Sequence, residues 1–365
     1  MKFNTKSGKP KNILVKEHQL ELDCKELEKK MPPFMFDYFI FLIGSVSVAT
    51  RYAYLRDIYF FFEFLIEKNY VKCDTVSEIT IDMMKKIRSR DVNYFIGEHC
   101  RRYVKVQDGI ETTYENDTRA LSRKKSSLIS LFKFLYRNNQ LSENITDGFN
   151  PIKLPKLNPD AIKRLSIEET NQLIRVVNMG IGLTKKEYEF WQKTRYRDKA
   201  IIMIFVVLGL RLSELEHLNI SSFNMKRKEF IAFRKRGKEV IMPYNTQVEK
   251  AVLEYINQER NQIALQDEGD PLFLSLQGKR LTGRQIREII KKYTSIVLGT
   301  SHEKGFSPHK LRATLASSLI ESGHSIYDVK NLLDHDNVTT TQIYAAHRKN
   351  AKKNLIESMD YLEDE

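Results

Sequence analysis

The chain has 365 residues, with 60 Lys and Arg against 47 Asp and Glu, a formal net charge of +13. That length accommodates two domains with separate cores, and a positive excess spread over both halves favours an acidic polymer, nucleic acid above all, as partner. The longest apolar runs, "YFIFLIGSVSVA" and "AIIMIFVVLGL", are too short to span a bilayer, so no membrane association is expected and both read as core.

The opening "MKFNTKSGKPKN" is polar and lacks the pattern of a secretory signal, so residues 1–16 are expected to be a flexible N-terminus and the protein cytoplasmic. Cys24, Cys73 and Cys100 are odd in number, far apart and without metal-site spacing, which points to reduced thiols and no metal.

Residues 17–150 read as a helical domain, broken by loop signals at "KNYVKCDT" and "VQDGIETTYENDT". Aromatic residues crowd "YAYLRDIYFFFEFL" at helical spacing, which suits a core better than a base-stacking platform. In "TRALSRKKSSLISLFKFLYRN", Leu121, Leu128, Leu131, Phe132 and Leu135 form an apolar stripe opposite Arg119, Arg123, Ser126, Lys133 and Arg137. This basic face fits either solvent or a DNA backbone; Arg119, Arg123, Lys124 and Lys125 are the candidate DNA-binding side chains.

Three prolines without hydrophobic periodicity make residues 151–165 an extended basic linker, with the boundary near residue 158. Ser166 and Glu169 then stand at capping-box spacing and open the next helix of a second domain, residues 166–347. Within it, "EFIAFRKRGKEVIMPY" predicts a β-hairpin about a basic turn, and residues 348–365 a charged terminal helix.

The chemistry concentrates in this second domain. "SPHKLRATLA" starts a helix at Ser307, a candidate side-chain cap, with Pro308 at the first position. His309 and Arg312 then share a face in the opening turns, where free amides favour an anion, and Lys310 adds a further cation toward DNA. "LGLRLSEL" puts Arg211 just after Gly209 at a helix–helix joint, and Lys235 lies at the hairpin tip. "LLDHDNVTTTQIYAAH" places His335 after a helix end and Tyr344 nine residues later, on a short helix that Thr339 and Gln342 can open as a capping box. Each of these six side chains alone has an ordinary structural explanation.

Taken in order, Arg211, Lys235, His309, Arg312, His335 and Tyr344 resemble the catalytic set of the tyrosine recombinases, the phage-integrase family, and "LGLRLSEL", "FRKRGKEVIMP", "SPHKLRATLA" and "LLDHDNVTTTQIY" carry the likeness. Xer-type recombinases are nearest in pattern, and "MPPFMFDYF" and "RKRGKE" resemble the single-protein XerS-like branch. The resemblance implies a mostly α fold with a small β-hairpin or sheet in an α+β catalytic domain, preceded by a helical core-binding domain. It also implies a site-specific recombinase that cleaves double-stranded DNA through Tyr344 without ATP, metal or other cofactor. A homotetramer with two protomers per site follows from it, the terminal helix docking on a neighbour. Two positions depart from the pattern: Asp334 replaces the glycine usual before the second histidine, and Ala313 stands where histidine is common. A type IB topoisomerase-like relaxing enzyme and a catalytically silent architectural DNA-binding protein are the alternative readings.

Overall fold

The computed structural model describes residues 11–107, 109–154, 163–234, 238–265 and 270–334. The chain divides into two compact units, Met1–Lys156 and Leu157–Glu365, each with its own core.

The N-terminal unit is built from helices α1 (Lys11–Glu28), α2 (Phe36–Ser45) and α3 (Val48–Glu67), the short α4 (Ile81–Met84) and α5 (Ser89–Tyr94), strands β1 (Arg102–Gln107) and β2 (Ile110–Glu115), and helix α6 (Thr118–Arg137). Ser47 caps α3 by accepting from the Thr50 amide at 3.3 Å, and Asp117 caps α6 by accepting from the Ala120 amide at 2.7 Å. Helix α3 contributes Leu55, Ile58, Phe61, Phe62, Phe64 and Leu65 to the core, and α6 contributes the predicted stripe of Leu121, Leu128, Leu131, Phe132 and Leu135. Phe61 meets Phe95 and Phe132 edge-on, with centroids 5.0 and 6.1 Å apart. The aromatic run is therefore core, each large side chain contributing about 1.5–3 kcal/mol by its burial.

Two features differ from the sequence reading. Helix α1 starts at Lys11, so part of the stretch expected to be flexible is helical; half-buried Ile13 and Leu14 extend its apolar side. Within the stretch expected to be helical, β1 and β2 form an antiparallel hairpin, so the small sheet expected in the second domain has a counterpart here. "RYVKVQ" and "IETTYE" are rich in β-branched and aromatic residues, Gly109 takes φ +76°, and Tyr103 stacks on Tyr114 directly opposite.

The C-terminal unit runs through α7 (Ile167–Met179), α8 (Lys185–Leu208), α9 (Leu212–Glu216), β3 (Phe223–Asn224), β4 (Glu229–Phe233), β5 (Glu239–Pro243), α10 (Thr246–Tyr255), α11 (Asn261–Ile263), α12 (Gly283–Val297), α13 (Pro308–Glu321) and α14 (Ile326–Leu333). The Ser166–Glu169 capping box forms: the Glu169 amide donates to Ser166 Oγ at 3.1 Å and the Ser166 amide to Glu169 Oε2 at 2.7 Å. The strands make an antiparallel sheet in the order β3-β4-β5, with Phe230 opposite Met242 and Phe233 opposite Glu239, as the hairpin pattern predicts. Around the apolar end of α8, Ile201, Ile204 and Phe205 are buried in one core with Val252, Tyr255, Ile290, Tyr293 and Leu311. Among the described residues no helix is long and apolar enough to cross a membrane.

Candidate active site

The site begins where α8 stops. Gly209 ends that helix in the left-handed region at φ +59°, and a Cβ there would lie 2.8 Å from both Leu315 Cδ2 and Leu333 Cδ2. Only glycine fits this turn without displacing two core leucines. Two residues on, Arg211 occupies the N-cap of α9, its amide donating to Glu214 Oε2 at 2.9 Å and its Nη1 to Glu214 Oε1 at 2.8 Å. Glu214 is 2% exposed, so this carboxylate orients Arg211 from inside the protein.

Arg312 approaches from α13. Its first helical residue is Pro308, and Ser307 takes the N-cap position, but its side chain makes no capping bond, which corrects the expected hydroxyl cap. The Lys310 amide, the donor a cap would use, instead gives its hydrogen to the Ser307 carbonyl at 2.8 Å. One turn further, Arg312 is 4% exposed; its Nη1 donates to the Gly209 carbonyl at 2.6 Å and its Nη2 to the Leu333 carbonyl. Arg211 Nη2 donates to the next carbonyl, that of Asp334, at 2.7 Å. Two guanidinium groups from segments about a hundred residues apart thus meet on successive carbonyls at the C-terminal end of α14, where the helix dipole favours cations.

His309 lies in the first turn of α13 with its side chain exposed. Crowding by the surrounding protein, then the positive charge of Arg312, Lys310 and Arg211, holds its pKa below the ordinary 6.5. Lys310 beside it is half-buried. Ala313 is buried in a cluster with Ala316, Ile320, Val329 and Leu333, a place in the packing rather than on the site's rim.

Asp334 caps α14 in the left-handed conformation, φ 49°, ψ 55°. Partial burial raises its pKa, but Arg234 and Lys238 outweigh that and leave it below the usual carboxylate range. Arg234, which sequence reasoning passed over, is 6% exposed at the end of β4. The signal for it was present: a basic residue in phase with the inward-facing Phe230 and Ala232 is directed to the core side of the strand.

Lys235, His335 and Tyr344 lie outside the described residues, as do Thr339, Gln342 and the terminal stretch 348–365. Of the cations proposed for DNA on α6, Arg119 is exposed and makes no hydrogen bond or ion pair among the described residues. Arg123, also exposed, is bound to Asp57. Lys124 is 7% exposed, 3.2 Å from Asp57 Oδ1 and 4.9 Å from the centroid of the Phe60 ring. It is a core cation, a correction to its expected place facing DNA, because α3 buries the Asp57 carboxylate among apolar side chains and that charge needs a partner. Lys125 donates to the Asn150 carbonyl at 2.7 Å and so fastens the start of the linker stretch.

Known proteins resemble this chain over most of its length. Residues 163–351 match the phage integrase family. A tyrosine recombinase XerC from Natranaerobius thermophilus is 31% identical over 302 residues, covering 78% of this chain and 91% of that one. The XerC of Bacillus pumilus is 29% identical over 295 residues, covering 79% and 91%. Among solved structures, the XerH site-specific recombinase in its post-cleavage complex with a palindromic difH substrate superposes with a TM-score of 0.60 at 17% identity, covering 94% of each chain. The Tn1549 transposon integrase in complex with transposon right end DNA gives 0.57 at 17% identity, over 92% of this chain and 99% of that one. Both share the two-domain fold.

Proposed function

The chain belongs to the phage integrase family and is a tyrosine site-specific recombinase of Xer type; from that premise we propose how its residues divide the work on double-stranded DNA. Tyr344 is the nucleophile: its phenolate oxygen attacks the phosphorus, the bond to the 5′ oxygen breaks, and the strand is held as a 3′-phosphotyrosine ester. That ester retains the bond, so a second strand's 5′ hydroxyl can displace the tyrosine with no nucleotide hydrolysed. Arg211 and Arg312 present donor forks to the nonbridging oxygens, whose negative charge grows in the transition state. Lys235 protonates the departing 5′ oxygen. His309 and His335 hydrogen-bond the phosphate, and a low pKa keeps His309 neutral near pH 7, able to accept the tyrosine's proton.

The observation that supports this most directly is the meeting of Arg211 and Arg312 on the Leu333 and Asp334 carbonyls, immediately before His335 in the chain. Incubation with a nicked suicide duplex tests it. A covalent protein–DNA adduct is expected, and Tyr344→Phe is expected to abolish it while leaving binding intact. Binding with no adduct from the unaltered protein supports the silent architectural alternative; relaxation of supercoils without a specific site supports the topoisomerase alternative.

The assembly we propose is a homotetramer on two DNA sites, closed head to tail by residues 348–365 docking on a neighbour. A chain ending at Ala346 is then expected to bind DNA and fail to recombine it. The XerS-like assignment predicts that this chain alone, with no second recombinase, exchanges strands at its site.

A further inference from the structure

Next to the groups assigned above, the C-terminal unit holds an ion-pair cluster centred on the Asp334 carboxylate, whose Oδ2 also lies 3.9 Å from Arg211 Nη1. Arg234 Nη1 lies 3.3 Å from Asp334 Oδ2, and its Nη2 donates to the Leu332 carbonyl at 3.3 Å. The Arg234 amide donates to the Lys238 carbonyl at 2.8 Å, closing the root of the β4–β5 hairpin. Lys238 Nζ in turn lies 3.3 Å from Asp334 Oδ1. One carboxylate therefore ties both root residues of the hairpin to the C-terminal cap of α14.

Asp334 stands at φ 49°, where glycine is at ease and an aspartate is strained, and glycine is the residue that the family pattern has there. A buried arginine lies opposite it, with Nε lacking a hydrogen-bond partner and 3.9 Å from Glu214 Oε1. In the chain, Arg234 directly precedes Lys235, and Asp334 directly precedes His335.

We propose that Asp334 is a positioning residue: by clamping Arg234 and Lys238 it sets the backbone entering Lys235 at a fixed separation from the backbone entering His335. The proposal rests on the roles given above to those two residues. Asp334→Asn is the informative substitution, since asparagine adopts the left-handed conformation readily and only the charge is lost. Single-turnover cleavage is measured on two suicide duplexes, one ordinary and one with sulfur replacing the 5′ bridging oxygen; a thiolate leaves without needing a proton. On ordinary DNA, D334N is expected to cleave roughly 10- to 100-fold more slowly, the scale of a misplaced catalytic group, with DNA affinity within twofold of wild type. On the sulfur substrate most of the loss is expected to vanish. A wild-type rate on ordinary DNA, or an equal loss on both substrates, overturns the clamp. Should D334N not fold, Lys238→Gln at an exposed side chain reads the same cluster with a loss of a few-fold, and an unchanged rate there overturns it equally. Lys235→Ala separates the two levels: if sulfur does not rescue that variant, Lys235 is not the proton donor and the underlying reading fails on its own account.

Discussion

Lys124 in the N-terminal unit and Arg312 in the C-terminal unit are cations buried to almost the same degree, 7% and 4% exposed. Lys124 ends on a carboxylate, Asp57, which it shares with Arg123, and above an aromatic ring, so its charge is offset where it sits. Arg312 donates to two backbone carbonyls, which fix the guanidinium plane. Burial alone does not decide whether a cation serves the fold or the chemistry. Arg211, held at once by the buried Glu214 carboxylate and the Asp334 carbonyl, shows that a carboxylate partner can orient a cation as well as pair with it.

The comparison can be broken most directly at Arg312. Replacing it with Gln is expected to slow single-turnover cleavage on the order of 100- to 1,000-fold, the usual effect of losing a preorganised donor to a developing oxyanion. Binding measured by fluorescence anisotropy should change far less. If both fall together, Arg312 serves ground-state binding or stability.

The counterpart is Asp57→Asn, which strands Lys124 in the core. Breaking a buried pair from one side is expected to destabilise the N-terminal unit by about 3–5 kcal/mol, read by urea unfolding. A change below about 1 kcal/mol would mean that the Phe60 ring and local water already satisfy the ammonium.

How much of this division was legible in the sequence follows from the same physics. Periodicity placed α6 and the aromatic core, local cap chemistry placed the start of α7, and alternation placed β4 and β5, because these signals are short-range. Lys124 was misread because its burial depends on Asp57, 67 residues away on α3. Arg234 escaped notice because its partner Asp334 is about a hundred residues away along the chain. The β1–β2 hairpin was lost for a different reason: its polar-rich strands carry few core residues, so hydrophobic pattern gave it little weight beside its helical surroundings. Order and spacing singled out Arg211, His309 and Arg312 among the described residues, whereas the carbonyls that hold the arginines leave no mark in side-chain identity.

A finer test compares exposed Arg119 with Lys124. Arg119→Gln is expected to weaken DNA binding a few-fold and lower the salt slope of log K by about one. Lys124→Met should leave both nearly unchanged. Equal effects on the slope would erase the distinction drawn between the two side chains.

The smallest expected effect is in pH dependence. Since the folded pKa of His309 lies below its ordinary 6.5, the native protein binds fewer protons than the unfolded chain between those two values. Its contribution to stability is therefore complete above about pH 6.5 and is lost as pH falls through the folded value. Thermal melting of His309→Gln and wild type should converge on acidification, and the variant should lose part of the acid limb of cleavage below pH 6.5. Identical pH profiles would assign that limb to another group.

The hydrogen bonds of Arg312 join three stretches of chain, at Gly209, at Arg312 itself and at Leu333. A nascent or half-folded polypeptide lacking the last of these has lost one of the carbonyls that orient the guanidinium. The guanidinium plane is therefore complete in its bonding only when the C-terminal end of α14 has packed against the end of α8.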